Sequence, residues 1–177
     1  MRITKAIGTA LSTTAAVSIL AVVLIQNRSR ADGTSQTGQA LPAPGWELQG
    51  LDGKTVHSTD FKGKVVVLDF WATWCQPCQA EISGFIELQK KYQAQGLAIV
   101  GVSVDQASSD TVKSFVQEMG MNYPVVLADT KVVTAYGGIA GLPTTFVIDR
   151  TGRIVKQHLG FTEKEEIEAE IKSLLNP

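Results

Sequence analysis

Val65-Val66-Val67-Leu68-Asp69-Phe70 is an apolar, largely β-branched run with no polar alternation and a single carboxylate inside it. A strand with one wet face alternates, so this run predicts a central strand covered on both faces. Such a strand needs helices on the two sides of its sheet, and the chain supplies the first at once. Ile82, Phe85, Ile86, Gln89 and Tyr92 recur at helical spacing between Cys78 and Gln95, and Gly96 stops the helix. Leu97 to Val104 reads as a second buried strand. Ser109 to Met119 follows as a helix with Val112, Phe115, Val116 and Met119 on one face, then Tyr123 to Leu127 as a strand. Asp129 to Tyr136 predicts a short helix, and Thr144 to Ile148 with Arg153 to His158 a hairpin across Asp149-Arg150-Thr151-Gly152. A closing helix runs from Thr162 to Leu175, with Thr162 as its cap and Glu165 as the capping-box partner. At the other end, Asp52-Gly53 predicts a turn in a small hairpin, Trp46 to Val56, that opens the domain. The expected fold class is an α/β sandwich with a mixed central sheet, parallel through the crossovers and antiparallel at the last hairpin.

This domain is expected from Leu41 to Pro177. Before it, Ala6 to Ile25 carries no charge for 20 residues, between Arg2 and Lys5 on one side and Arg28 and Arg30 on the other. That length can span a bilayer as one helix. The strongly apolar part, Ala15 to Ile25, also suits the core of a signal peptide, with Ser29-Arg30-Ala31 as a cleavage site. Segment 1–25 is therefore an anchor or a removed signal, and either one exports the body. Residues 26–40 are small and polar and read as a flexible linker. All 17 acidic residues lie at or after Asp32, so the body is mildly acidic, which argues against nucleic acid as a partner.

Cys75 and Cys78 are the only two cysteines, too few for a disulfide-stapled mini-domain or a four-cysteine zinc site. Gln79 follows Cys78 where haem attachment needs histidine. Trp74-Cys75-Gln76-Pro77-Cys78 falls where the buried strand gives way to the helix. Unpaired amides and a partial positive charge at a helix N-terminus would hold a Cys75 thiolate, lowering its pKa below the free value of about 8.5. Cys78, one turn in, would be more buried and placed to resolve a mixed disulfide. The same spacing also fits a static disulfide of an exported protein, or a soft-metal site helped by His57 or His158. Each histidine otherwise reads as a partly solvated strand residue.

Asp69 is expensive to bury, and burial should raise its pKa. It could exchange protons with Cys78, or it could be a strand-end carboxylate bonded to nearby amides. In Gly141-Leu142-Pro143-Thr144-Thr145, a trans turn is the default from the residues alone. A cis bond there would present the backbone of Leu142 to an incoming chain.

Asp69-Phe70-Trp71-Ala72 leading to Trp74-Cys75-Gln76-Pro77-Cys78, then Gly141-Leu142-Pro143-Thr144, resembles the thioredoxin superfamily over about Leu41 to Pro177. The export segment, the opening hairpin and the inserted helix and strand from Ser109 to Leu127 resemble its TlpA/ResA-like group. The resemblance implies Cys75 as nucleophile and Cys78 as resolving thiol of a redox-active disulfide. It also implies Pro143 as a cis-proline beside them, Trp74 and Leu142 as substrate-binding, and Asp69 as the buried acid. No cofactor or metal is implied. Two positions depart from the pattern: Ser83 stands where a helix-bending proline is frequent, with Gly84 able to permit the bend instead, and Gly101 stands where thioredoxins carry a lysine facing the acid.

The expected function is a thiol–disulfide oxidoreductase, acting as a reductant on the cysteines of exported proteins, apocytochromes among them by resemblance. A membrane-bound thiol donor would supply its electrons, and its place would be the cell membrane with the domain on the extracytoplasmic side, or the periplasm after signal cleavage. A peroxiredoxin-like peroxidase would need a threonine and a proline where Ala72 and Leu68 stand. A copper-binding or delivery module would draw on Cys75, Cys78 and His158, although such modules generally separate their cysteines by three residues.

Overall fold

A computed structural model describes residues 40–176, within the unit Ala40–Pro177. The expected segment 1–25 and the linker 26–40 lie outside the described residues, Ala40 apart. Among the described residues no helix is long and apolar enough to cross a membrane.

In chain order the elements are β1 (Leu41–Pro42), β2 (Glu47–Gly50), β3 (Thr55–His57), β4 (Val65–Trp71), α1 (Gln76–Tyr92), β5 (Leu97–Ser103), α2 (Ser109–Glu118), β6 (Val125–Leu127), α3 (Thr130–Ala135), β7 (Thr144–Ile148), β8 (Arg153–Leu159) and α4 (Lys164–Leu175). The strands form one mixed sheet in the order β1-β8-β7-β4-β5-β6-β2-β3. β4 lies between parallel β5 and antiparallel β7, and all of its residues are buried. That is the central strand its unalternating sequence predicts.

Successive side chains of β4 point to opposite faces. Val65, Val67 and Trp71 join α1, α2 and α4 in one core layer, through Ile82, Phe85, Val112, Ile167 and Ile171. Val66, Leu68 and Phe70 pack on the other face against Trp46, Val132 and Tyr136. The expected opening hairpin is present as β2–β3 and joins the sheet through β6, at Gln49↔Leu127. On the opposite edge, the unanticipated β1 pairs with β8 at Leu41↔Ile154. Two residues with no alternation to read left no signal for it.

One local expectation is corrected. α4 has Glu163, not Thr162, at its N-cap, and no side chain caps it. The Thr162 hydroxyl turns to the Gly160 carbonyl, and its N–H is taken by Glu81 of α1, 2.7 Å away. Gly84 serves a close approach: a Cβ there would stand 3.1 Å from the Lys164 side chain, so its missing side chain makes room for α4.

Gly101 lies opposite Asp69 in the β4–β5 register, and a Cβ on it would stand 2.8 Å from Nε1 of buried Trp71. The space a longer side chain would need is filled by indole. Gly101→Ala is therefore expected to destabilise the domain by about 1–3 kcal/mol, the usual cost of overpacking a core. Urea unfolding of parent and variant checks this, and an unchanged midpoint would contradict it.

Candidate active site

β4 ends at Trp71 and α1 begins at Gln76, so four residues carry the chain from sheet to helix. Cys75 takes the N-cap of α1 with an extended backbone, and Pro77 lies in the first turn, where a missing N–H costs nothing. The two sulfurs are bonded at 2.00 Å, with Cα atoms 5.3 Å apart. Sγ of Cys75 also accepts from the Cys78 N–H at 3.3 Å, so the helix terminus meets the first sulfur as the sequence predicts. Both cysteines are buried, Cys78 the more deeply at 1% exposure.

The Leu142–Pro143 bond is cis, so the trans default fails and the resemblance is right. Thr144 Oγ1 donates to the Gly141 carbonyl at 2.7 Å, and the Gly160 N–H donates to the Pro143 carbonyl at 2.8 Å, fixing this loop from both sides. Leu142 is half-buried. Trp74 is 68% exposed, and Leu159, which pairs with Thr144, is also exposed, as is Phe161. Apolar side chains thus lie open at the end of the sheet that carries the disulfide.

Asp69 sits in mid-strand, not at a strand end, and among the described residues no amide donates to its carboxylate. The carboxylate accepts from Thr145 Oγ1, its partner across the β4–β7 register, at 3.0 Å. Burial raises its pKa to about 7, against the small lowering from that hydroxyl. Glu81 is a functional candidate the sequence reading missed. It lies one helical turn beyond Cys78 and is buried; Oε1 holds the Thr162 N–H, while Oε2 has no partner among the described residues. Burial, and then the charge of Asp69, raise its pKa to about 8. The i, i+3 spacing from Cys78 could have found it, since such residues share a helix face. Burial, followed by the charges of Asp69 and Glu81, also raises the pKa of the Tyr123 hydroxyl.

The histidines lie elsewhere. His57 faces Glu47 at 3.5 Å. His158 is buried, not partly solvated as expected, because α4 covers it: its ring nitrogens face Glu170 at 3.0 Å and Glu166 at 3.9 Å. Among the described residues the one cluster with metal-ligand spacing is His158, Glu166 and Glu170, and it includes neither cysteine.

Comparison with known proteins fits this geometry. The AhpC/TSA family matches residues 40–157. The thiol-disulfide oxidoreductase ResA of Bacillus subtilis (strain 168) is 37% identical over 146 residues, covering 82% of this chain and 80% of that protein. ResA of Geobacillus thermodenitrificans (strain NG80-2) is 38% identical over 144 residues, 80% of this chain and 82% of its own. Among solved structures, a thiol:disulfide interchange protein of the thioredoxin family from Chlorobium tepidum superposes with a TM-score of 0.72 at 33% identity, covering 78% of this chain and 99% of its own. A secreted thiol-disulfide isomerase from Corynebacterium glutamicum gives 0.70 at 25% identity, over 76% and 86%.

The two raised carboxyls set a pH dependence. Each holds its proton more tightly folded than unfolded, so the unfolded chain ionises first as pH rises from about 4, and stability falls until about pH 8. The urea midpoint of the oxidised protein is expected to drop across this window, and Asp69→Asn to flatten the curve and raise the midpoint at pH 8. A parent curve flat between pH 5 and 8 would contradict the assignment.

Proposed function

The chain belongs to the AhpC/TSA family and is a thiol–disulfide oxidoreductase of thioredoxin fold, and on that premise we propose that it is an exported reductant of protein disulfides, with Cys75 attacking and Cys78 resolving. The observation that carries the residue roles is the Cys75–Cys78 bond at the α1 N-cap, one sulfur against a helix amide and the other buried in the core. In the reduced protein the Cys75 thiolate attacks a substrate disulfide, forming a mixed disulfide and expelling one substrate thiolate. Cys78 then gives up its proton and attacks Sγ of Cys75, which closes the intramolecular bond and releases the second substrate thiolate. Two electrons pass to the substrate, and the state described here is the oxidised product.

Cys78 is almost fully buried, which favours an interior group as the base that takes its proton. The buried carboxyls among the described residues are Asp69 and Glu81, and their raised pKa values suit a base acting near neutral pH. Trp74 and the Leu142–Pro143 loop would receive the incoming chain.

Export rests on segment 1–25, with its uncharged run from Ala6 to Ile25, as anchor or signal. The folded domain, 41–177, would then work on the extracytoplasmic side on exported proteins, apocytochromes among them, recharged by a membrane-bound thiol donor. The secreted isomerase among the structural relatives supports that placement. Among the described residues the cluster with metal-ligand spacing holds His158 without either cysteine, which speaks against a copper module, and Ala72 and Leu68 supply no hydroxyl or proline for a peroxidase.

With insulin as the disulfide substrate, Cys75→Ser is expected to fall to the uncatalysed rate, whereas Cys78→Ser accumulates a mixed disulfide on Cys75 visible by mass spectrometry. Full activity in Cys75→Ser would sink the assignment. Asp69→Asn combined with Glu81→Gln is expected to slow turnover at pH 7 by about 100-fold, the low end of general acid–base contributions. A reduction potential near or below about −270 mV supports the reductant role, and one near about −120 mV overturns it.

A further inference from the structure

The turn that presents Trp74 and Cys75 is held by a residue outside the cysteine motif. Asp105, just past the end of β5, accepts the Thr73 N–H on both carboxylate oxygens, at 3.2 and 3.0 Å, and the Thr73 hydroxyl on Oδ1 at 2.6 Å. Ser103 Oγ donates to Oδ2 at 2.8 Å and accepts the Asp105 N–H at 3.3 Å, which aims the carboxylate at the turn. From the other side, Nε2 of Gln79 in the first turns of α1 donates to the Thr73 carbonyl at 2.6 Å. Thr73 therefore has its N–H, hydroxyl and carbonyl all engaged. Beneath it, the Val104 N–H donates to the Trp71 carbonyl at 2.9 Å, and the Cys75 N–H to the Ala72 carbonyl at 3.1 Å.

Hydrogen bonds to a charged acceptor are the stronger kind, and three of them converge from one residue on a four-residue connection. Among the described residues no ion pair uses Asp105, so its half-buried carboxylate is spent on Ser103 and this turn. The side chain between the clamped Thr73 and the N-cap Cys75 is Trp74, 68% exposed, and the turn's backbone settles where that ring stands.

We propose that Asp105, acting through Thr73, is a positioning residue that presets Trp74 as a docking plate for the polypeptide segment around a substrate disulfide. The inference rests on the reading of Trp74 as a substrate contact. Preorganisation of this kind lowers the ordering cost of binding and leaves the sulfur chemistry alone. Its signature is in KM for a protein substrate, with the intrinsic reactivity of Cys75 untouched.

The experiment compares the parent with Trp74→Ala, Asp105→Asn, Thr73→Val, Thr73→Ser and the Asp105→Asn/Trp74→Ala double variant, in insulin reduction and in alkylation of the reduced protein by iodoacetamide. Asp105→Asn and Thr73→Val are expected to raise KM about fivefold, with kcat and the iodoacetamide rate within about twofold, and Thr73→Ser to restore the parent value. Because the clamp acts through the indole, the double variant is expected to be no worse than Trp74→Ala alone. Additive losses, or an iodoacetamide rate that falls in step with turnover, would overturn the proposal. If Trp74→Ala raises KM while Asp105→Asn and Thr73→Val stay at the parent value, the clamp is refuted and the docking role of Trp74 survives. If Trp74→Ala leaves KM unchanged, the docking role itself fails and the clamp falls with it. Should Asp105→Asn not fold, Thr73→Val, which removes one hydroxyl, carries the same test.

Discussion

The handover from β4 to α1 is the constraint on which the rest of the molecule depends. β4 is buried on both faces in mid-sheet and α1 packs across one of those faces, so the connection between them has four residues in which to reverse direction. A turn that short puts the helix N-terminus at the end of the strand, and the residue that caps it is Cys75. The reactive position follows from the packing: unpaired amides gather there, and the first cysteine's sulfur takes one of them. Cys78, one turn inside, is sealed by the same packing that seats the helix.

Burial on both sides is also what makes the acids unusual. Asp69 keeps the place that the β4 register gives it, facing the helix layer with one hydroxyl for company. Glu81 descends from α1 into that layer, one oxygen spent on the Thr162 N–H and the other without a partner among the described residues. Desolvation raises both carboxyls, and the charge of Asp69 adds to the penalty on Glu81. The bond to Thr162 ties the cysteine-bearing helix to the segment leading into α4, so the proton-holding group and the wall of the site are mechanically joined.

Much of this was legible in the residues. The run Val65 to Phe70 announced a doubly covered strand because a strand buried on both faces has no reason to alternate, and the cysteines advertised themselves by their place at a strand–helix boundary. What stayed hidden depended on partners far away in sequence. Glu81 looks like any helix-surface glutamate until α4 closes over it, and Asp105 looks like a loop aspartate until Thr73, 32 residues earlier, comes to meet it. His158 alternates as a strand residue should, but its solvent side is taken by α4. Thr162 is a plausible cap by local rules, and a tertiary hydrogen bond overrode them. Local chemistry is written along the chain, whereas burial of polar groups is decided by the fold.

The missing lysine changes what the acid can do. A cation opposite Asp69 would hold that carboxyl ionised, leaving an acceptor ready but no proton in store. Here the opposite position is Gly101, its space is filled by the Trp71 indole, and the nearest charged influence on the pair is like in sign. Burial raises both carboxyls, and the charge of Asp69 raises Glu81 further, so near neutral pH the two acids are partly protonated. A group that is half loaded can serve both directions of disulfide exchange. In the proposed mechanism it would take the proton from Cys78 as that thiol attacks, and return one as the Cys78 thiolate is released when the bond is opened again. By this argument glycine where thioredoxins carry a lysine leaves the buried acid holding a proton rather than an ion pair, on the face of the sheet that α1 covers.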